Sequence, residues 1–208
     1  MIHILLLLLA APLCAQPALE LPPTDSTGGR PLMQALKARR TAREFSTKPL
    51  PRETLSNLLW AAYGINRPDA GGRTAPSAHN WQTIEIYAAL PEGLFRYNAK
   101  AHRLDPVSPG DSRPLTSTQD FADTAPLNLV YVARMALTKQ SPEDTAEDVL
   151  SWVAAEAGAI AQNVALYCAS KGLANVVRAG FQRSAFTKAA RLAPTDRILL
   201  AHTIGFPK

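Results

Sequence analysis

Cysteine is nearly missing from this 208-residue chain, which has only Cys14 and Cys168. They form no C-x-x-C pair, and Cys14 lies in an N-terminal apolar run that reads as a leader. Loss of the leader leaves Cys168 alone, so no internal disulfide is expected. Cys168 sits in an Ala-rich apolar stretch and reads as a small buried residue. Histidine is scarce too: His3, His79, His102 and His202 form no H-x-x-x-H pair, so no metal site is expected. The chain has no G-x-S-x-G elbow, and Ser77 and His79, two apart, are not a nucleophile and base by spacing alone, which argues against a hydrolase. No G-x-G-x-x-G follows a strand, and Gly71-Gly72 falls in a loop, which argues against a Rossmann site.

Long apolar runs are also absent. HILLLLLAAPL is shorter than the roughly 20 residues of a bilayer-spanning helix, so no stable membrane span is expected. The run ends in Leu13-Cys14-Ala15 before Gln16-Pro17, and small Ala15 suits the last position before a signal-peptidase cut. No Arg-Arg pair precedes it. Residues 1–15 are therefore expected to be a signal peptide and the protein to be exported, to the periplasm. A lipid anchor on Cys14, with Pro12 and Leu13 as poor neighbours, and a cytoplasmic location are the alternatives. The formal net charge of +5 favours anionic ligands without requiring nucleic acid.

What remains reads as one globular domain, residues 31–208, preceded by a flexible Pro/Gly/Ser-rich lead-in, 16–30. Leu32, Ala35, Leu36 and Arg39 recur at helical spacing, which predicts a helix from Pro31 into an arginine cluster. Leu55, Leu58, Leu59 and Ala62 mark a second helix that Gly64 can stop. INRPDAGGRTAPSAHN reads as loop. IEIYAAL, LFRYN and RLDPV read as an antiparallel meander, 105–126 as a long polar connection, and LNLVYVA as a central strand. Ser141-Pro142-Glu143-Asp144 reads as a helix start, with one or two helices running to Lys171 and Gly172. Val153, Ala157, Ile160, Val164 and Tyr167 form one stripe of that segment. Its many alanines make it slim, for close approach in the core or across a dimer interface. LANVVRA, a short helix from Ser184 and RILLAHTIGF complete an α+β pattern without strict βαβ alternation.

Two stretches bear on chemistry. RRTAREF, 39–45, crowds three arginines into five positions. Glu44 interrupts the run and Phe45 is its one aromatic, so single-strand nucleic-acid binding is poorly supported and no nucleic-acid partner is expected. On the residues alone, a solvated basic helix end is the first reading. An anion site, using the bidentate guanidinium fork, is the second. TAPSAHNWQTIEIY, 74–87, sets small residues and then Asn80 and Gln82 before a strand. The amides could read a ring edge carrying both N–H and C=O, and an ordinary loop-to-strand junction is the plainer reading.

Taken in order, Arg39 to Phe45, Pro76 to Gln82, Ala157 to Asn163 and the terminal Gly205-Phe206-Pro207 resemble the nitroreductase superfamily of flavoenzymes over residues 31–208. The meander LFRYNAKAHRL is similar to the branch containing the thiazole/oxazole-forming peptide dehydrogenases. The resemblance implies a central, mostly antiparallel sheet flanked by helices, in a homodimer with FMN at its interface. It implies that Arg39, Arg40, Thr41 and Arg43 hold the ribityl phosphate and pyrimidine side. Pro76, Ser77, Ala78 and Asn80 would line the isoalloxazine, partly from the partner chain, with Gln82 as a further candidate. Arg178-Ala179-Gly180 would aim a backbone N–H at flavin N5. Lys208 would supply a late phosphate cation, although the chain lacks the longer basic tail of many relatives. No catalytic side chain is expected, because the flavin carries the hydride and electron chemistry in ping-pong turns. NAD(P)H or a redox partner would be the donor and a small molecule the substrate. The slim helix at 152–168 is the candidate interface, with packing inside one chain as the other reading. An azoline-peptide dehydrogenase and a non-catalytic flavin-binding protein are the alternatives.

Overall fold

The computed structural model describes residues 16–208, so the expected signal peptide and Cys14 lie outside the described residues. In chain order the elements are β1 (Leu19–Glu20), α1 (Leu32–Ala38), α2 (Arg52–Tyr63), β2 (Ile65–Arg67), β3 (Gly72–Arg73), β4 (Ile84–Leu90), β5 (Gly93–Asn98), β6 (Arg103–Pro109), α3 (Phe121–Thr124), β7 (Leu127–Ala133), α4 (Ala146–Lys171), β8 (Ala174–Arg178), α5 (Arg183–Ala190) and β9 (Arg197–Gly205). Seven strands form one sheet in the order β1-β6-β5-β4-β7-β9-β8. Every pairing in it is antiparallel.

The continuous apolar run LNLVYVA becomes β7, buried along its whole length. Its side chains alternate between two cores, as period-two strand geometry requires. Leu127, Leu129 and Tyr131 join a cluster with Leu58 and Leu59 of α2 and Ile160 of α4. Val130 and Val132 face Phe186 of α5. Helices thus cover both faces, and the chain is α+β with a large antiparallel sheet, as the sequence predicts.

Helix α4 is a single helix, ended by Gly172 in the left-handed conformation (φ 71°). It is long and apolar enough to cross a membrane by length and composition, but here Val149, Val153, Ile160 and Val164 pack into the core against α2 and the sheet. It begins later than Ser141-Pro142 suggests. Thr145 and Asp148 form a reciprocal capping box that satisfies two orphan N–H groups, whereas Ser141–Asp144 closes only a preceding turn.

Three other expectations are corrected. Residues 16–30 are not a flexible lead-in throughout. Leu19 pairs with Leu104, Leu19 and Leu21 are buried, and Ser56 Oγ donates to the Pro22 carbonyl at 2.6 Å. The prolines bar a central strand but not an edge one. The segment 65–73, read as loop, is a small hairpin, β2 against β3, turned by Pro68 and a left-handed Gly71. The helix that was to run into the arginines stops at Ala38, so 39–45 is extended rather than a basic helix end. Ala42 N–H bonds Asn175 O and Ser46 N–H bonds Phe206 O, both at 2.9 Å, and these edge contacts replace helical ones.

Candidate functional site

The extended segment 39–45 runs between the start of β8 and the end of the chain. Phe45 bridges Pro207, which brings the Gly205-Phe206-Pro207 motif alongside the arginines and sets exposed Lys208 next in sequence to that bridge. Arg39, Arg40 and Arg43 are exposed, and among the described residues none makes a salt bridge or a side-chain hydrogen bond. Arg39 and Arg40, with Arg30 and Lys37, line a cavity of about 340 Å³ that has no acidic residue in its wall. Like charges held together with no internal counter-ion raise the local positive potential, which favours an external anion. A second cavity of about 330 Å³ joins Arg39 and Thr41 to Gly158, Ala161 and Gln162 of the AGAIAQN helix. Arg43 lines neither cavity.

Asn175, common to both cavities, is fixed from below. Its Oδ1 lies 3.0 Å from His202 Nε2, and His202 Nδ1 lies 3.1 Å from the Tyr131 hydroxyl. His202 is fully buried, and burial, then the positive Arg178, pushes its pKa down to about 3. The ring is therefore neutral. It donates through Nε2 to Asn175 and accepts at Nδ1 from Tyr131.

The second stretch, 76–82, is built differently. His79, Asn80 and Gln82 all take left-handed backbone conformations, with φ of 49°, 54° and 52°. Such positions cost non-glycine residues roughly 1–2 kcal/mol each, so the surroundings must hold them. Ser77 Oγ accepts the Gln82 N–H at 2.8 Å and donates to Glu156 Oε2 at 2.9 Å. The Gln82 amide donates to Gly71 O and Asn80 Oδ1 and accepts from Arg73 Nε. Ser77 and Gln82 thus shape the turn and keep no free side-chain donor for a ring edge, whereas Asn80 is engaged only through its Oδ1. Ser77 makes no contact with His79 of the kind a nucleophile and base would need, since its hydroxyl is held by Glu156 and Gln82. Pro76 and Asn80 are exposed and Ala78 half-buried, at the surface of the turn. His79 stacks on Trp81 with ring centroids 5.0 Å apart.

Glu156 anchors this turn, and the sequence reading passed over it. It is 3% exposed, on the inner face of α4. It also accepts from the Tyr63 hydroxyl, from Thr83 Oγ1 at 2.9 Å and from Ile84 N–H at 3.4 Å. Burial, then the Glu156 charge and its hydrogen bond, push the Tyr63 phenol upward. A carboxylate falling on the stripe Val149, Val153, Ile160, Val164 was the available signal, because an unpaired charge has no place on a buried helix face.

At the end of β8, the Arg178 guanidinium turns inward. It donates to Thr203 Oγ1 at 3.0 Å, Asn128 Oδ1 at 2.9 Å and the Thr116 carbonyl, and burial lowers its pKa to about 10. Its side chain therefore fixes the strand end and is closed to ligand. Ala179 and Gly180 are exposed just beyond it.

Ser56 and His102 also form a pair, Oγ to Nε2 at 2.7 Å, with the Tyr97 hydroxyl 3.1 Å from Nδ1. Ser56 is fully buried and its proton goes to Pro22 O, so the pair holds the N-terminal segment in place rather than acting as a nucleophile.

The cavities holding the arginines contain none of residues 76–82. The two cavities therefore join the arginine segment to the AGAIAQN helix and the chain end, and the PSAHNWQ turn, although bonded to the same helix through Ser77 and Glu156, lines neither.

Comparison with known proteins gives the chain's family. The sequence model of the nitroreductase family matches residues 36–206, and the chain belongs to that family. A protein of Methanocaldococcus jannaschii named as a candidate nitroreductase is 32% identical over 155 residues, covering 70% of this chain and 76% of its own. The crystal structure of a candidate nitroreductase from Ralstonia eutropha superposes with a TM-score of 0.85 at 42% identity, over 93% of this chain and 90% of that one. A nitroreductase-like structure from Desulfovibrio desulfuricans, in complex with FMN, shares the fold with a TM-score of 0.61 at 18% identity, over 86% and 88% of the two chains.

Proposed function

We propose that this chain is an FMN-dependent oxidoreductase that works as a homodimer and passes reducing equivalents from a donor to a small organic acceptor. The observation that carries this reading is the acid-free cavity walled by Arg30, Lys37, Arg39 and Arg40. Its donors suit the terminal phosphate of FMN, which guanidinium groups grip in bidentate pairs. Thr41 and Arg43 follow on the same extended segment, and Lys208 extends the chain beyond the Phe45–Pro207 bridge.

The ring-side residues Pro76, Ala78 and Asn80 would come from a second copy, because the arginine cavities include none of them. Apolar side chains left open on the protomer support that copy. Leu32, Met33 and Leu36 of α1 are 62%, 75% and 41% exposed, a face that water does not favour. Gly158 on the outer side of α4 faces open space, so nothing inside the protomer requires a glycine there.

When bound, FMN supplies the hydride and electron chemistry. The chain's own residues would hold its phosphate and frame its ring, and the exposed backbone at Ala179 and Gly180 would offer it an N–H. Donor and acceptor would use one open face in turn, which gives ping-pong kinetics. The apolar leader supports export, where free NAD(P)H is scarce. The natural donor would then be a redox protein or a reduced quinone, with NAD(P)H serving in the test tube. Recovery of the native protein from the cytosol with residues 1–15 retained would refute export.

The test is a titration of apoprotein with FMN and with riboflavin, which lacks only the phosphate. The proposal expects FMN to bind at least tenfold tighter. Equal affinities would remove the arginines from the cofactor site.

A further inference from the structure

Glu156 is a buried carboxylate with no cation within salt-bridge distance among the described residues. It is satisfied wholly by hydroxyl and amide donors: Tyr63 and Ile84 on Oε1, Ser77 and Thr83 on Oε2. Replacing the carboxylate and its donors together by apolar groups of the same shape would cost a fold little, whereas removing the carboxylate alone would strand its donors. Its value must lie in what it orients.

A carboxylate accepts only. It therefore fixes the direction of the Ser77 proton, and the Ser77 lone pair is left facing the Gln82 N–H at 2.8 Å. One hydroxyl thereby ties both ends of the turn whose residues His79, Asn80 and Gln82 sit at left-handed φ. Thr83 and Ile84 use the same carboxylate from the strand side. Tyr63 ties it to the end of α2, where the Arg73 guanidinium lies 4.9 Å from the Tyr63 ring centroid and also holds Gln82 Oε1.

We infer that Glu156 is a positioning residue for the cofactor: acting through Ser77, it holds the turn 76–82 in the strained shape that frames the flavin ring. The inference rests on the FMN reading above for the identity of the ligand, but not for the existence of the device.

In Glu156→Gln the volume is kept, but the amide turns an N–H₂ toward hydroxyl donors and cannot satisfy both pairs. Ser77→Ala removes the link to the turn and leaves the carboxylate its other three donors. Thr83→Ala removes a bond to the same oxygen on the strand side only. The experiment titrates FMN into the three apoproteins and the parent, and follows amide hydrogen exchange of residues 77–82 without cofactor. The inference expects Glu156→Gln and Ser77→Ala each to weaken FMN at least tenfold and to lose protection of the Gln82 amide. Thr83→Ala is expected to lower the melting temperature with FMN affinity within about twofold of the parent. Parental affinity in Glu156→Gln or Ser77→Ala, or an equal loss in Thr83→Ala, would overturn it. A parent that binds no FMN would sink the proposed function. The Gln82 amide would then still decide the role of Glu156, by losing its protection in Glu156→Gln or keeping it.

Discussion

The arginine segment 39–45 and the turn 76–82 solve opposite problems. In the first, the backbone is unstrained and the arginine side chains have no hydrogen-bond or salt-bridge partner among the described residues. In the second, the polar groups of Ser77 and Gln82 are engaged internally and three residues are strained. One region offers side chains to an anion, and the other offers a shape. Substitutions should therefore separate them. Changes at 39–43 should alter binding and spare stability, while changes around Ser77 and Glu156 should alter both.

The largest effect should come from the shape side. Glu156→Ala leaves buried hydroxyls and an amide without an acceptor, and urea unfolding should show a loss of about 3–5 kcal/mol. A loss below about 1 kcal/mol would mean that the turn does not depend on the carboxylate.

Arg43→Ala should do the reverse. It should weaken FMN by about 1.5–3 kcal/mol if the guanidinium makes a charge-assisted bond, and change unfolding stability by under about 0.5 kcal/mol. Fluorescence titration and urea unfolding on one preparation would check both. A large stability loss would erase the contrast between the regions.

The floor under the arginines gives a pH test. The pKa of His202, lowered to about 3, lies below its unfolded value, so its contribution is whole above about pH 6.5 and is lost as pH falls toward 3. Between pH 6.5 and 5 this amounts to roughly 1.5–2 kcal/mol. Ordinary carboxylates titrate mostly below that window. Urea unfolding across pH should show the slope, and His202→Gln should flatten it.

The smallest effect concerns Gly158. An added methyl meets nothing in the protomer, so Gly158→Ala should stabilise the isolated fold by about 0.5–1 kcal/mol through helix propensity. If a second copy covers this face, sedimentation should show weaker dimerisation in the same variant. Unchanged association would place the interface elsewhere.

Much of the fold was legible because local pattern and tertiary position agree. The β-forming residues of IEIYAAL and the unbroken run LNLVYVA placed β4 and β7, and Gly172 marked the end of α4. The misses share a cause, since they are places where long-range contacts set the local structure. Leu19 is ordered by pairing with β6 and Leu21 is buried beside it in the core, which a Pro-rich composition does not reveal. Residues 39–45 are drawn out of the helix by Asn175 and Phe206, which lie more than a hundred residues away in sequence. The site was legible in part. Its exposed residues stood out by density and type, as with the arginines. Glu156, His202 and Asn175 did not, because a lone polar residue in an apolar segment gains meaning only from the partners the fold brings to it.

The central claim is that this protein carries FMN. The visible absorption spectrum of the purified protein, with its boiled supernatant compared against FMN and FAD standards, tests it most directly. The account predicts flavin bands and release of FMN. A colourless protein that also fails to take up added FMN would contradict it.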